Sequence, residues 1–115
     1  MGRRGRGRVR RGEIWTAAAR GSYSGKPRPV VIVQDDRFDA TGSVTVCPMT
    51  TSAVDAPLLR IPVDPAVGIA RSSWIMVDKV TTVPRAGVRE RVGRLPDDEL
   101  VRLNRALLAF LGLAG

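Results

Sequence analysis

The chain has 115 residues, 43% of them hydrophobic but only 4% aromatic, and carries a formal net charge of +8. That is enough for one domain with a modest core of Val, Leu, Ile and Ala. It excludes a membrane span, because no apolar run approaches the ~20 residues that one needs.

Residue types narrow the chemistry further. Histidine is absent and Cys47 is the only cysteine, so an internal disulfide is excluded and a zinc site is not expected. Ser-His and Cys-His catalysis are excluded with the missing base. A single cysteine fits a reducing cytoplasm. The arginine-rich start has no apolar stretch behind it and does not read as a secretory signal.

The charge is unevenly placed. Residues 1–11 hold six arginines (Arg3, Arg4, Arg6, Arg8, Arg10, Arg11) and no acid, whereas the remainder has 13 basic and 11 acidic side chains. Residues 1–10 are therefore expected to be a disordered Arg/Gly-rich tail, able to hold phosphates non-specifically or simply to solubilise, ahead of a single domain over 11–115.

In chain order, Glu13 to Ala17 reads as a short strand anchored by Ile14 and Trp15, followed by a Gly/Ser-rich loop over 18–26. Pro29 to Gln34 reads as a strand, and its continuous β-branched run predicts burial on both faces. Arg28 stands just before it between Pro27 and Pro29. Each proline fixes its own φ and biases the residue before it towards extended backbone. An arginine with so little backbone freedom suits phosphate, which its planar fork binds in bidentate fashion. Capping the strand and pairing with a surface carboxylate is the structural alternative.

Residues 35–42 read as a turn with Phe38 packed inwards. Ser43 to Met49 alternates and ends near Pro48, and Thr50 then opens a polar loop that runs to Pro57. Leu58 to Val63 reads as a strand near an edge. Ser72 to Val80 reads as one strand, with Trp74 and Met76 alternating against Ile75 and Val77, and Gly87 to Leu95 as a half-exposed strand.

Helical period occurs only at the end. Asp97, Asp98 and Glu99 put negative charge on a first turn, where the helix dipole favours it. Leu100, Leu103, Leu107 and Leu111 follow on one stripe beside Ala106 and Phe110. Gly112 is the stop, and Pro96 occupies the N-cap without capping chemistry. Short strands followed by one helix predict a mainly β fold, a compact barrel with a helix packed on it. Trp15, Trp74 and Cys47 are expected in the core, or for the tryptophans at an interface between copies.

The order Arg-Gly-Glu-Ile-Trp (11–15), Gly-Ser (21–22), Arg-Pro-Val-Val-Ile-Val (28–33), Val-Cys-Pro-Met-Thr (46–50) and the Leu-rich helix resembles the MazF/PemK family. Those proteins are toxin endoribonucleases, or mRNA interferases, of bacterial type II toxin–antitoxin pairs. The likeness runs from Arg11 to Leu113. It implies an SH3-like barrel of the CcdB/MazF/PemK toxin type, a homodimer, a cytoplasmic location and an acidic or amphipathic MazE-like antitoxin. It also implies cleavage of single-stranded RNA without metal or cofactor, through the 2′-OH, leaving a 2′,3′-cyclic phosphate and a 5′-OH.

Carried onto this sequence, the family's catalytic arginine and threonine fall on Arg28 and Thr50. RNA contacts are implied for Ser22, Tyr23, Lys26, Thr51 and Lys79, in or beside the loops at 18–27 and 51–58. Tyr23 stands where the family often has an acid, and Lys79 where it often has Gln after the acid at Asp78. Two readings compete: a CcdB-like toxin that binds DNA gyrase and cuts nothing, and a non-catalytic SH3-like module that binds nucleic acid through its tail.

Overall fold

A computed structural model describes residues 8–18, 26–52 and 58–114. Seven antiparallel strands precede one helix: β1 (Glu13–Ala17), β2 (Arg28–Ile32), β3 (Ser43–Thr50), β4 (Arg60–Val63), β5 (Ser73–Met76), β6 (Thr81–Pro84), β7 (Val88–Arg94) and α1 (Asp97–Phe110). The sheet order is β4-β5-β3-β2-β1-β7, with β6 pairing β3 beside β5.

β3 organises the sheet. One edge pairs with β2, while the other takes β5 near Thr50 and β6 along Ser43 to Val46. The strand expected over 72–80 is thus shorter, ending at Met76, and β6 begins only at Thr81. A 3-10 turn at Val77–Lys79, closed by the Val80 amide donating to the Val77 carbonyl, separates β5 from β6, which resumes the same edge of β3.

The sheet is buried on both faces at its centre, as the run Val30-Val31-Ile32 predicts. Ile14, Val31, Cys47, Ile61 and Ile75 face one cluster, which α1 completes with Leu103 and Leu107. Trp15, Val30, Ile32, Val46, Val83 and Val88 form a second cluster on the other face, with Val9 packed against it. Burial of this order, at about 25 cal/mol per Å² of apolar surface, is what holds so short a chain together. Cys47 lies in the first cluster, where burial pushes its thiol up to about 12. It is a core residue and no nucleophile.

The two outer strands meet through backbone. A Cβ on Gly93 of β7 would lie 1.7 Å from the Val67 carbonyl oxygen, and one on Gly68 (φ +112°) 2.4 Å from that of Val92. Only glycine allows this approach between the β4–β5 connection and β7, which curls the sheet towards a barrel.

At the N-terminal end, Arg8 pairs with Asp39 at 2.8 Å. Arg11 donates from Nε to the Val33 carbonyl (2.9 Å) and from Nη1 to Asn104 of α1 (2.6 Å), tying the first turn to the helix.

Helix α1 follows the predicted bounds, with no side-chain cap from Pro96 and with three acids in its first turn. Its apolar stripe is shorter than the periodicity suggests. Phe110 and Leu111 are exposed, as are Val101, Leu108 and Leu113. Phe38 is a second correction: it is 54% exposed rather than packed inwards. The 3-10 turn at Asp36–Phe38 carries it outward, and the Arg37 guanidinium covers its ring at 5.7 Å. The strand expected from Leu58 starts only at Arg60, and Leu58 is exposed.

Candidate active site

Arg28 is the first residue of β2 and Thr50 the last of β3. The two strands pair as Val30 with Pro48, Val31 with Cys47 and Ile32 with Val46. Continued by two residues, that register sets Arg28 opposite Thr50. Directly opposed residues of an antiparallel pair project from the same face of the sheet. On its other edge Thr50 is paired with Trp74 of β5, and Arg28 with Ala17 of β1. The row Ala17, Arg28, Thr50, Trp74 therefore crosses four neighbouring strands. It lies where the face of the second cluster, beyond Val30 and Val46, opens to solvent.

The sequence explains why these side chains remain available. Arg28 is exposed, and none of the hydrogen bonds or ion pairs of the described residues engages its guanidinium. Pro27 and Pro29 leave it on extended backbone, and the strand beyond it is buried. Thr50 is half-buried, and its Oγ1 accepts the Ser52 amide at 3.1 Å. This is a threonine turn, with the hydroxyl proton left to donate elsewhere.

The other expected contacts distribute around this row. Lys26 is exposed two residues before Arg28, and Thr51 is exposed directly after Thr50. Lys79 is exposed on the 3-10 turn between β5 and β6, on the same side of β3 as Trp74. Ser22 and Tyr23 lie outside the described residues.

An ion pair holds the turn that carries Lys79. Arg60 donates from Nη1 to Asp78 Oδ1 and to the Leu59 carbonyl (3.1 Å). The Arg60 side chain is only 12% exposed and that of Asp78 24%. Asp78 is thereby committed to structure, while its neighbour Lys79 stays in solvent. The register of Thr50 with Trp74 was not legible in the sequence, where the two residues lie 24 positions apart in separate segments.

A second charged group sits at the opposite end of β1 from Ala17. Glu13 is buried and accepts the indole N–H of Trp15 (2.9 Å), the Arg10 amide (2.9 Å) and Arg91 Nε (3.0 Å). Burial alone would raise its pKa. The hydrogen bonds from Trp15, Arg10 and Arg91 outweigh it and hold the carboxyl below its ordinary value. Fully hydrogen-bonded and away from the row, Glu13 is a structural carboxylate.

Fold and site together define a small antiparallel β protein, closed by one helix, with an arginine unpaired among the described residues and a hydroxyl on one strand-end row. The chain belongs to the PemK-like, MazF-like toxins of type II toxin–antitoxin systems, a family that matches it over residues 10–111. It is 64% identical over 109 residues to a probable endoribonuclease MazF of Mycolicibacterium smegmatis, covering 93% of this chain and all of that protein. To endoribonuclease MazF9 of Mycobacterium tuberculosis it is 30% identical, over 91% of this chain and 98% of that protein. The fold superposes on Mycobacterium tuberculosis toxin MazF-mt6 with a TM-score of 0.78 at 25% identity, covering 90% of this chain and 99% of that one. A MazE-MazF structure from Deinococcus radiodurans matches at 0.77 and 20% identity, over 93% and 98%. The resemblance carried by 11–15, 28–33 and 46–50 is thus borne out in family and in fold.

Proposed function

We propose that Arg28 and Thr50 form the cleavage centre of a sequence-specific endoribonuclease that cuts single-stranded RNA without a metal. The protein is a toxin of the MazF type and an endoribonuclease, as its relatives are named. The observation that supports the assignment within it is the register that sets an arginine, unpaired among the described residues, opposite a hydroxyl on one open face.

RNA carries its own nucleophile. The 2′-hydroxyl gives up its proton as its oxygen attacks the adjacent phosphorus, the P–O5′ bond breaks, and the leaving 5′-oxygen takes up a proton, so that no net proton is gained or lost. The fragments end in a 2′,3′-cyclic phosphate and a 5′-OH. What a protein must add is alignment and stabilisation of the charge that grows on the phosphoryl oxygens. The Arg28 fork supplies two parallel donors to those oxygens, and the Thr50 hydroxyl supplies a third. Lys26, Thr51 and Lys79 flank the row as contacts to phosphates and unpaired bases, and Ser22 and Tyr23 belong to the same set of proposed RNA contacts.

The same reading includes a MazE-like antitoxin, supported by the neighbouring complexes of toxin and antitoxin, and a cytoplasmic location. Among the described residues no helix is long and apolar enough to cross a membrane. It also includes a homodimer, supported by the exposed apolar side chains along and beyond α1, of which Val101 and Leu108 stand two turns apart on one side of the helix.

The decisive experiment is end-mapping of RNA incubated with purified protein in EDTA. Cuts at one short motif with cyclic-phosphate and 5′-OH ends are expected. Intact RNA in EDTA, or cleavage only after divalent cations are added, would overturn the reading.

A further inference from the structure

Trp74 fits poorly as a core residue. It is half-buried, yet it belongs to neither apolar cluster and is not among the partly buried side chains packed against them. Its neighbour Ile75, on the opposite face of β5, is fully buried in the first cluster. Strand alternation therefore turns Trp74 to the face that carries Thr50, with which it is directly paired.

Distance makes the placement significant. Adjacent strands lie about 4.8 Å apart, so Trp74 stands one strand from Thr50 and about 10 Å from Arg28 along the same row. A phosphate held between Arg28 and Thr50 brings the base of an adjoining nucleotide over the next strand. The side chain waiting there is a large indole, and the exposed cation of Lys79 stands on the 3-10 turn that follows the same strand. An aromatic face beside a cationic track is the arrangement by which proteins hold unpaired nucleotides.

We propose that Trp74 is a stacking platform for an unpaired base next to the scissile phosphate, and thereby a positioning residue for the cleavage reaction. This rests on the assignment of Arg28 and Thr50 above. Stacking accepts any base, so Trp74 fixes the reach and angle of the strand over Thr50, while edge contacts from the loops read its identity.

The test uses an oligoribonucleotide containing the mapped cut site, with 2′-deoxyribose at the cut nucleotide so that it binds without being cleaved. Trp15 is 4% exposed and Trp74 is the only other tryptophan, so binding is expected to quench indole fluorescence in the wild type. In Trp74→Phe the quenching disappears while affinity stays within about threefold of wild type, because phenylalanine still stacks. In Trp74→Ala and Trp74→Leu the dissociation constant rises roughly 5- to 150-fold. Leucine keeps the apolar bulk, so a loss in Trp74→Leu that Trp74→Phe does not share reports stacking rather than packing. Wild-type affinity in both Trp74→Ala and Trp74→Leu would overturn the proposal. So would a wild-type dimer that falls to monomers in Trp74→Leu, which would place the indole in an interface between copies. Failure of the underlying assignment looks different: RNA is then cut as well by Arg28→Ala as by wild type, whatever Trp74 does.

Discussion

The Ser52 amide donates to the Thr50 hydroxyl oxygen at 3.1 Å, which occupies one of its lone pairs. The hydroxyl proton is left to donate, on a residue whose strand register sets it opposite Arg28. Removing the hydroxyl takes a donor to a charged oxygen from the site, an interaction of about 1.5–3 kcal/mol. Thr50→Val is expected to slow cleavage of a single-site oligonucleotide by about 10- to 150-fold. Thr50→Ser, which keeps the donor and the turn, should stay within a few-fold. Equal losses in both variants would show that packing and not donation is at stake.

Arg28 is tested in the same assay. It is exposed and unpaired among the described residues, so its loss leaves no buried partner orphaned and the fold should survive. Removing a principal stabiliser of developing charge costs about 100- to 1,000-fold in rate. Arg28→Ala should show that loss with an unchanged circular dichroism spectrum and melting temperature. Arg28→Lys should recover part of the rate, since it restores the charge without the bidentate fork. Undiminished cleavage by Arg28→Ala would remove the residue from the mechanism.

Much of this was legible in sequence because the signals were local. The Val30–Ile32 run announces burial on both faces by its lack of alternation, and the stripe at Leu103 and Leu107 announces the helix. Arg28 is marked by the prolines on either side. What lay beyond reach depends on which strands are neighbours. Residues 72–80 look like one strand because alternation persists from Trp74 to Val80, and the 3-10 turn at Val77–Lys79 keeps Val77 buried on that same alternation while ending the strand. Phe38 looked like a core residue by its type, but a 3-10 turn and the Arg37 cation hold it in solvent. The pairing of Thr50 with Trp74 is tertiary, and no spacing rule encodes it.

Two carboxyls give opposite pH signatures. Burial raises and the hydrogen bonds from Trp15, Arg10 and Arg91 more than offset it for Glu13, so its folded pKa is lowered. Its contribution to stability is present above the ordinary carboxylate value and is lost as pH falls through the folded value. Glu99 is raised, first by burial and then by Asp98, and its Oε1 is sealed without a partner. Its folded state favours the proton, so stability is best at acid pH and falls as pH rises through the folded value. Glu13→Gln should therefore lower the melting temperature at pH 7, by the equivalent of about 1.5 kcal/mol for lost charged hydrogen bonds, with the deficit narrowing below about pH 4.5. Glu99→Gln should raise it at pH 7 and make no difference at acid pH. Melting curves of both variants from pH 3 to 8 decide between these signs and a uniform offset.

Among the described glycines, Gly93 makes the closest approach to another segment of backbone, at the Val67 carbonyl. A methyl group at Gly93 would have to occupy space 1.7 Å from the Val67 carbonyl oxygen, and neither backbone can retreat without separating β7 from the β4–β5 connection. Overpacking against fixed backbone costs about 1–3 kcal/mol, occasionally more. Each kcal/mol is worth roughly 4 °C in a domain of this size. Gly93→Ala is expected to lower the melting temperature by about 4–12 °C. Gly42→Ala is the control, because a Cβ there meets nothing within 4 Å, and its melting temperature should stay within about 2 °C of wild type. The two changes add the same methyl group to the same residue type. Equal melting temperatures would show that the close approach does not hold the barrel together.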